Sequence, residues 1–160
     1  MCIRGTPIRK ELFEGEREKG LSACGFSGEK PVLLMMGGSL GAVKLNDCLR
    51  EILPELTKNV DIIHLAARAI WMNPARQKQT ISSFEICFRW AELIYSRRRN
   101  FVVSRAGSNS ISEFLALKKP SLLIPLSARA SRGDQILNAA SFEKQGFARV
   151  LDEDEMTAET

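Results

Sequence analysis

Residues 32–42 read VLLMMGGSLGA, five apolar residues in a row and then glycines at 37, 38 and 41 around Ser39. An unbroken apolar run of that length suits a strand buried on both faces, as in a parallel sheet covered by helices. Glycines directly after it permit a sharp turn and a close approach of bare backbone to a ligand. Similar runs return along the chain: VDIIHLA (60–66), NFVVS (100–104), PSLLIP (120–125) and ARVL (148–151). Helical spacing fills the gaps. Leu45, Cys48, Leu49, Ile52, Leu53 and Leu56 recur at three- and four-residue steps, one face of an amphipathic helix expected to be disturbed near Pro54. Further helices are expected around Ile111–Leu117 and across Asp134–Gln145, the last closed by Gly146. The charged stretch Lys10–Lys19 reads as a short surface helix.

Strands alternating with helices through short turns imply right-handed crossovers, hence an α/β fold with a parallel sheet and helices on both faces. Such sheets bind ligands beyond the carboxyl ends of their strands, at the topological switch point. Three unusual loops fall at those ends. In the first, the amides of Ser39, Leu40 and Gly41 would open a helix whose positive end favours a phosphate, and the Ser39 hydroxyl adds a donor. The alternative is a tight turn made for packing, because neither G-x-G-x-x-G nor a P-loop lysine is present.

The second loop, SRAGSNSISE, puts Gly107 at a turn and Ser108 or Ser110 at a helix start, with Glu113 shortly after. One reading is a capping box between Ser110 and Glu113. The other has the amides of 108–110 meeting a phosphate or sugar while Glu113 accepts hydrogen bonds from ribose hydroxyls, a carboxylate being suited to a vicinal diol. In the third, SARASRGDQILNA, Asp134 and Gln135 either bind a sugar or serve as an N-cap and a surface glutamine. His64 stands alone at a strand end and reads as structural. No carboxylate or serine has a histidine partner for nucleophilic catalysis.

Composition removes several function classes. The net charge of +4 is concentrated: residues 66–100 carry seven Arg or Lys against two Glu, and the remainder is near neutral. No basic stripe interleaved with aromatics runs through the patterned regions, so nucleic acid is not an expected partner. The apolar runs are far shorter than the ~20 residues that span a bilayer, and the N-terminus lacks a secretory core, so a cytoplasmic setting is expected. Cys2, Cys24, Cys48 and Cys87 are scattered without a CxxC pair, which points to reduced thiols and no metal site.

The strings LLMMGGSLGA, VVSRAGSNSISEFLALKKPSLLIPLS and RGDQILNAASFEKQGFARVL, in this order, closely resemble the C-terminal, donor-binding half of the MurG glycosyltransferases, family 28 enzymes of GT-B fold. The resemblance covers residues 5–65 and 101–156. It implies a Rossmann-like domain over 31–160, preceded by an interdomain linker remnant and first helix over 1–30. It also implies transfer of N-acetylglucosamine from UDP-GlcNAc to the muramyl-pentapeptide lipid of peptidoglycan synthesis, with inversion, no cofactor and no metal bonded to the donor. By position, GTPIR places Arg9 near the nucleotide. Gly38, Ser39 and Gly41 match the phosphate-side loop, and Ser108, Asn109 and Ser110 the stretch whose backbone meets the nucleotide-sugar. Glu113 matches the ribose-binding glutamate and Gln135 a sugar-contacting glutamine, while Asp134 stands where some relatives have another glutamine.

The chain departs from that family in three ways. The N-terminal half, with the acceptor site, the membrane-contacting patch and the catalytic base, is not represented, so a separate N-terminal acceptor-binding half is the expected partner. No catalytic residue is therefore assigned, and any contact with the inner face of the plasma membrane is expected only through that half. The chain also stops before the last family helices. Finally, residues 66–100 do not fit, and are expected to be translated one base out of frame, the alternative being a genuinely divergent insertion. Read one base earlier, Ala66–Asn73 can encode Cys-Gly-Lys-Gly-Asn-Met-Asp-Glu, and Tyr95–Asn100 can yield Phe-Ala-Ala-Ala-Glu, both family-like. The displaced family sequence is expected to supply a central strand and a loop over the uracil.

Overall fold

The computed structural model describes residues 6–37, 42–65, 100–129, 132–157 and 159. Five strands form one sheet: β1 (Val32–Met36), β2 (Asp61–Leu65), β3 (Asn100–Ser104), β4 (Ser121–Leu123) and β5 (Arg149–Val150). All neighbouring pairs are parallel, in the order β2-β1-β3-β4-β5. Four α-helices accompany them: α1 (Arg17–Cys24), α2 (Val43–Leu56), α3 (Ser108–Ala116) and α4 (Asp134–Lys144).

The alternation of side chains along a strand divides the core. Val32, Leu34, Ile63, Leu65 and Val102 face one side, where Leu21 and Cys24 of α1 and Phe114 of α3 cover them. Met35 and Ile62 face the other, against Leu45, Leu49 and Leu53 of α2 and Met156 from the C-terminal segment. A third cluster, Ala106, Ile111, Leu123 and Ala139, seats α4 against the ends of the sheet. Each fully buried leucine contributes roughly 1.5–3 kcal/mol, so α2 is held by its apolar face rather than by caps.

One expectation is corrected. Lys10–Lys19 is not one helix: a single 3-10 turn spans Lys10–Phe13, and the α-helix runs from Arg17 to Cys24. The reason is packing, because Leu12 and then Leu21 and Cys24 are the buried hydrophobic positions, and the exposed Glu14 and Glu16 between them supply no apolar face. Pro54 lies inside α2, where it has no N–H to return to the carbonyl of Arg50, and the helix ends two residues later at Leu56. The central strand and the uracil loop expected of the displaced family sequence fall on residues 66–99, outside the described residues. The frame expectation itself concerns residues 66–99, which lie outside the described residues.

The α4 terminus follows the sequence closely. Gly146 takes φ +74°, and its N–H donates to Glu143 O at 2.9 Å while Phe147 N donates to Phe142 O at 2.9 Å. The accompanying apolar contact is an edge-on pair of Phe142 and Phe147, ring centroids 5.8 Å apart.

The strand order contains one switch point. After β1 the chain adds β2 on one side, and β3 then appears on the other side of β1. Met36 is in register with Ser104, so Gly37 and Arg105 leave the sheet side by side at the same end. Helix α2 then packs on one face and α3 on the opposite face. Sheets of this kind bind their ligands at such a switch point.

Candidate functional site

The phosphate-side loop begins in the structure at Gly37. A Cβ there would lie 2.8 Å from Cβ of Ala42, so only glycine lets the chain fold back this tightly before α2. Gly38, Ser39 and Gly41 lie outside the described residues. The helix that follows is set, with Asn46 N donating to Ala42 O at 2.8 Å.

On the ribose side the two residues brought together are Arg9 and Glu113, 104 positions apart. Arg9 Nε donates to Glu113 Oε1 at 3.0 Å and Nη2 to Oε2 at 3.1 Å, a parallel two-point contact. The glutamate side chain is 15% exposed and the arginine 47%. The buried Leu12 anchors the segment that carries Arg9. The capping-box alternative for Glu113 is not what forms: α3 starts at Ser108, with Gly107 as its N-cap in extended conformation and no side-chain cap. Ser108, Asn109 and Ser110 thus occupy the first turn, where main-chain N–H groups point out of the helix rather than to a preceding carbonyl. The first helical donor is Ile111 N, to Gly107 O at 3.1 Å. A carboxylate has about four acceptor sites, and the two-point contact uses one on each oxygen, leaving each oxygen a site for a diol hydroxyl.

The third element is α4. Its N-cap is Gly133 at φ +85°, so Asp134 is the first helical residue and not the cap; its carboxylate lies by the positive helix end. Gln135 Oε1 accepts the N–H of Leu126 at 3.1 Å. Only an amide oxygen can accept from that N–H, which fixes the orientation of the group: Gln135 presents its NH2, a donor, to whatever lies beyond. One turn later Asn138 Nδ2 donates to Ala106 O at 3.0 Å, tying α4 to the loop after β3. Glu113 on α3 therefore supplies acceptors and Gln135 on α4 donors.

Sequence reasoning missed a charged pair behind these loops. Arg105 Nη2 donates to Glu153 Oε1, and Glu153 Oε2 accepts the N–H of Ser127 at 3.2 Å. Burial alone would raise the Glu153 pKa, but hydrogen bonds from Arg105 and Ser127 and the nearby positive charges hold it below the ordinary carboxylate value. His64 is buried as expected, Nε2 lying 2.7 Å from Asn46 Oδ1. Desolvation, reinforced by the Arg50 charge, lowers its pKa to about 4, so the ring is neutral and donates to Asn46. Among the described residues Cys24 and Cys48 are free thiols, no group of side chains could hold a metal ion, and no helix is long and apolar enough to cross a membrane.

Comparison with known proteins agrees with this arrangement. The profile of the glycosyltransferase family 28 C-terminal domain matches residues 32–160. The UDP-N-acetylglucosamine–N-acetylmuramyl-(pentapeptide) pyrophosphoryl-undecaprenol N-acetylglucosamine transferase 2 of Bacillus cereus (strain ATCC 10987) is 51% identical over 156 residues, 98% of this chain and 44% of that protein. The corresponding transferase of Clostridium tetani is 49% identical over 156 residues, 97% of this chain and 43% of the relative. This chain thus spans less than half the length of the curated relatives it matches. In fold it is similar to the crystal structure of Acinetobacter baumannii MurG, with a TM-score of 0.63 at 21% identity, covering 99% of this chain and 46% of that one. It is also similar to the glycotransferase of kitacinnamycin, with a TM-score of 0.65 at 19% identity, covering 83% and 33%. A parallel sheet with one switch point and a sequence profile over four-fifths of the length agree: the chain belongs to glycosyltransferase family 28, as a C-terminal domain of that family.

Proposed function

We propose that this chain is the donor-binding half of a UDP-GlcNAc transferase acting on the muramyl-pentapeptide lipid intermediate of peptidoglycan synthesis. The observation that supports the reading is the two-point contact by which Arg9 fixes the Glu113 carboxylate, with the Gln135 amide on the next helix oriented by Leu126 N. Glu113 grips the ribose diol, with Arg9 fixing its carboxylate plane. The loop of Gly38, Ser39 and Gly41 and the amides of Ser108, Asn109 and Ser110 take the diphosphate. Asp134 and Gln135 take the sugar hydroxyls. Charge that develops on departing UDP is stabilised by the helix-end amides, which require no reorganisation as the bond breaks. This assignment derives from the family resemblance together with the geometry above.

Transfer also needs an acceptor hydroxyl held at the anomeric carbon and a base to take its proton. The relatives are more than twice as long, which favours an acceptor-binding half carried on a further segment or a second polypeptide. Calorimetry with UDP-GlcNAc on the 160-residue chain tests the donor site. Saturable heat, lost on competition with UDP, is the expected result. An absence of heat at millimolar ligand removes the reading and leaves a non-catalytic or decayed family member.

A further inference from the structure

Glu153 lies in none of the ligand-facing sets, yet four segments at the carboxyl ends of the strands meet on it. Its main-chain oxygen accepts from Lys44 Nζ, on the first turn of α2. Oε1 accepts from Arg105 Nη2, three residues before Ser108. Oε2 accepts from Ser127 N, in the loop that leads to α4. The fourth segment is its own, the stretch that follows β5. Arg105 extends the network, Nη1 donating to Ile124 O at 3.1 Å and Pro125 O at 3.3 Å. The pair is nearly enclosed, its side chains 7% and 11% exposed.

Stability is a weak reason for such a pair. Desolvating two charges offsets most of their attraction, and apolar residues of the same volume commonly hold a fold as well. A charged fork differs in being directional: it fixes where each partner lies, not merely that they touch. Here the partners are the phosphate-side helix, the ribose-side loop and the sugar-side loop. We propose that Glu153, acting through Arg105 and Ser127 N, is a positioning residue that sets the spacing of the three donor-binding loops without touching the donor. This rests on the donor-site reading above.

Glu153→Gln tests it by keeping shape and one acceptor oxygen while removing the charge. Arg105→Lys is a milder second variant, since one ammonium cannot replace a planar fork that spans a carboxylate and two carbonyls. Met156→Ala is the control. It loosens the same segment from α2 through lost burial and leaves the network intact. Calorimetry with UDP-GlcNAc should show about tenfold weaker binding for Glu153→Gln, the scale of one misplaced hydrogen bond, with a smaller loss for Arg105→Lys. Amide exchange in the ligand-free chain should quicken at 105–108 and 126–128 in both variants. Met156→Ala should lower Tm while leaving affinity and those amides unchanged. Wild-type affinity and unchanged exchange in Glu153→Gln overturn the proposal, as does a loss of affinity that Met156→Ala reproduces at equal Tm. Should the wild-type chain not bind UDP-GlcNAc, it is the donor-site reading that falls. The exchange comparison then decides on its own whether Glu153 orders the three loops.

Discussion

Replacing Glu113 by alanine should separate binding from folding in this chain. The fork to Arg9 has one half-exposed partner, and such pairs contribute roughly 0.5 kcal/mol, so a Tm shift of about 1–2 °C is expected for a domain of this size. The binding side is larger. Two ribose hydroxyls donating to a carboxylate are each worth about 1.5 kcal/mol at the low end, which together is on the order of a hundredfold in affinity for UDP. Calorimetry with UDP and with its 2′,3′-dideoxy analogue, on wild type and Glu113→Ala, forms a closed cycle. If the carboxylate grips the diol, removing the hydroxyls costs wild type about a hundredfold and the variant almost nothing, a coupling of about 3 kcal/mol. Additive losses would refute the reasoning, because the glutamate would then be acting on some other part of the ligand or through the fold alone.

The remaining expectations are narrower. Gln135→Glu keeps an oxygen for Leu126 N but removes the NH2 and adds a charge; UDP-GlcNAc affinity should fall several-fold while UDP affinity holds, and equal losses for both ligands would show that Gln135 does not face the sugar. Stability should decline with acidification between pH 6.5 and about 4. His64 is neutral and buried when folded but takes a proton when unfolded in that window, so the unfolded state binds more protons; the full span is roughly 3 kcal/mol, and thermal melts of His64→Gln should show a flatter slope. The coding DNA should carry AGG at Arg68, preceded by A as the third base of Ala67, so that the shifted frame reads lysine between two glycines; AGA would put serine after the lysine. A CGN codon at Arg68 excludes that frame.

The fold was legible wherever pattern and burial agree. Val32–Met36 is an unbroken apolar string because both faces of this central parallel strand are covered, and both it and Asn100–Ser104 have the boundaries their sequence suggests. Gly146 was legible for a local reason, a left-handed residue that only glycine adopts at little cost. The charged N-terminal stretch misled because charge marks exposure and not helix; the positions that decide where α1 lies are Leu21 and Cys24, whose burial depends on partners far along the chain. At the site, Glu113 offered two readings because a glutamate three residues after a serine looks the same whether it caps a helix or waits for a ligand. The two-point contact with Arg9 excludes the first. Glu153 was illegible for the opposite reason. It sits in LDEDE among look-alike acids, and nothing local marks the one that turns inward.

Short-range pattern was enough for the parallel α/β sheet, the turn at Gly37 and the family: apolar runs, periodic helix faces and a glycine where a Cβ is excluded. Only the tertiary structure decided that Arg9 meets Glu113, that Gln135 turns its NH2 outward and that Glu153 gathers three loops. Those are contacts between residues far apart in the chain, set by which strand lies beside which, and side-chain chemistry acquires direction only once the backbone has fixed its neighbours.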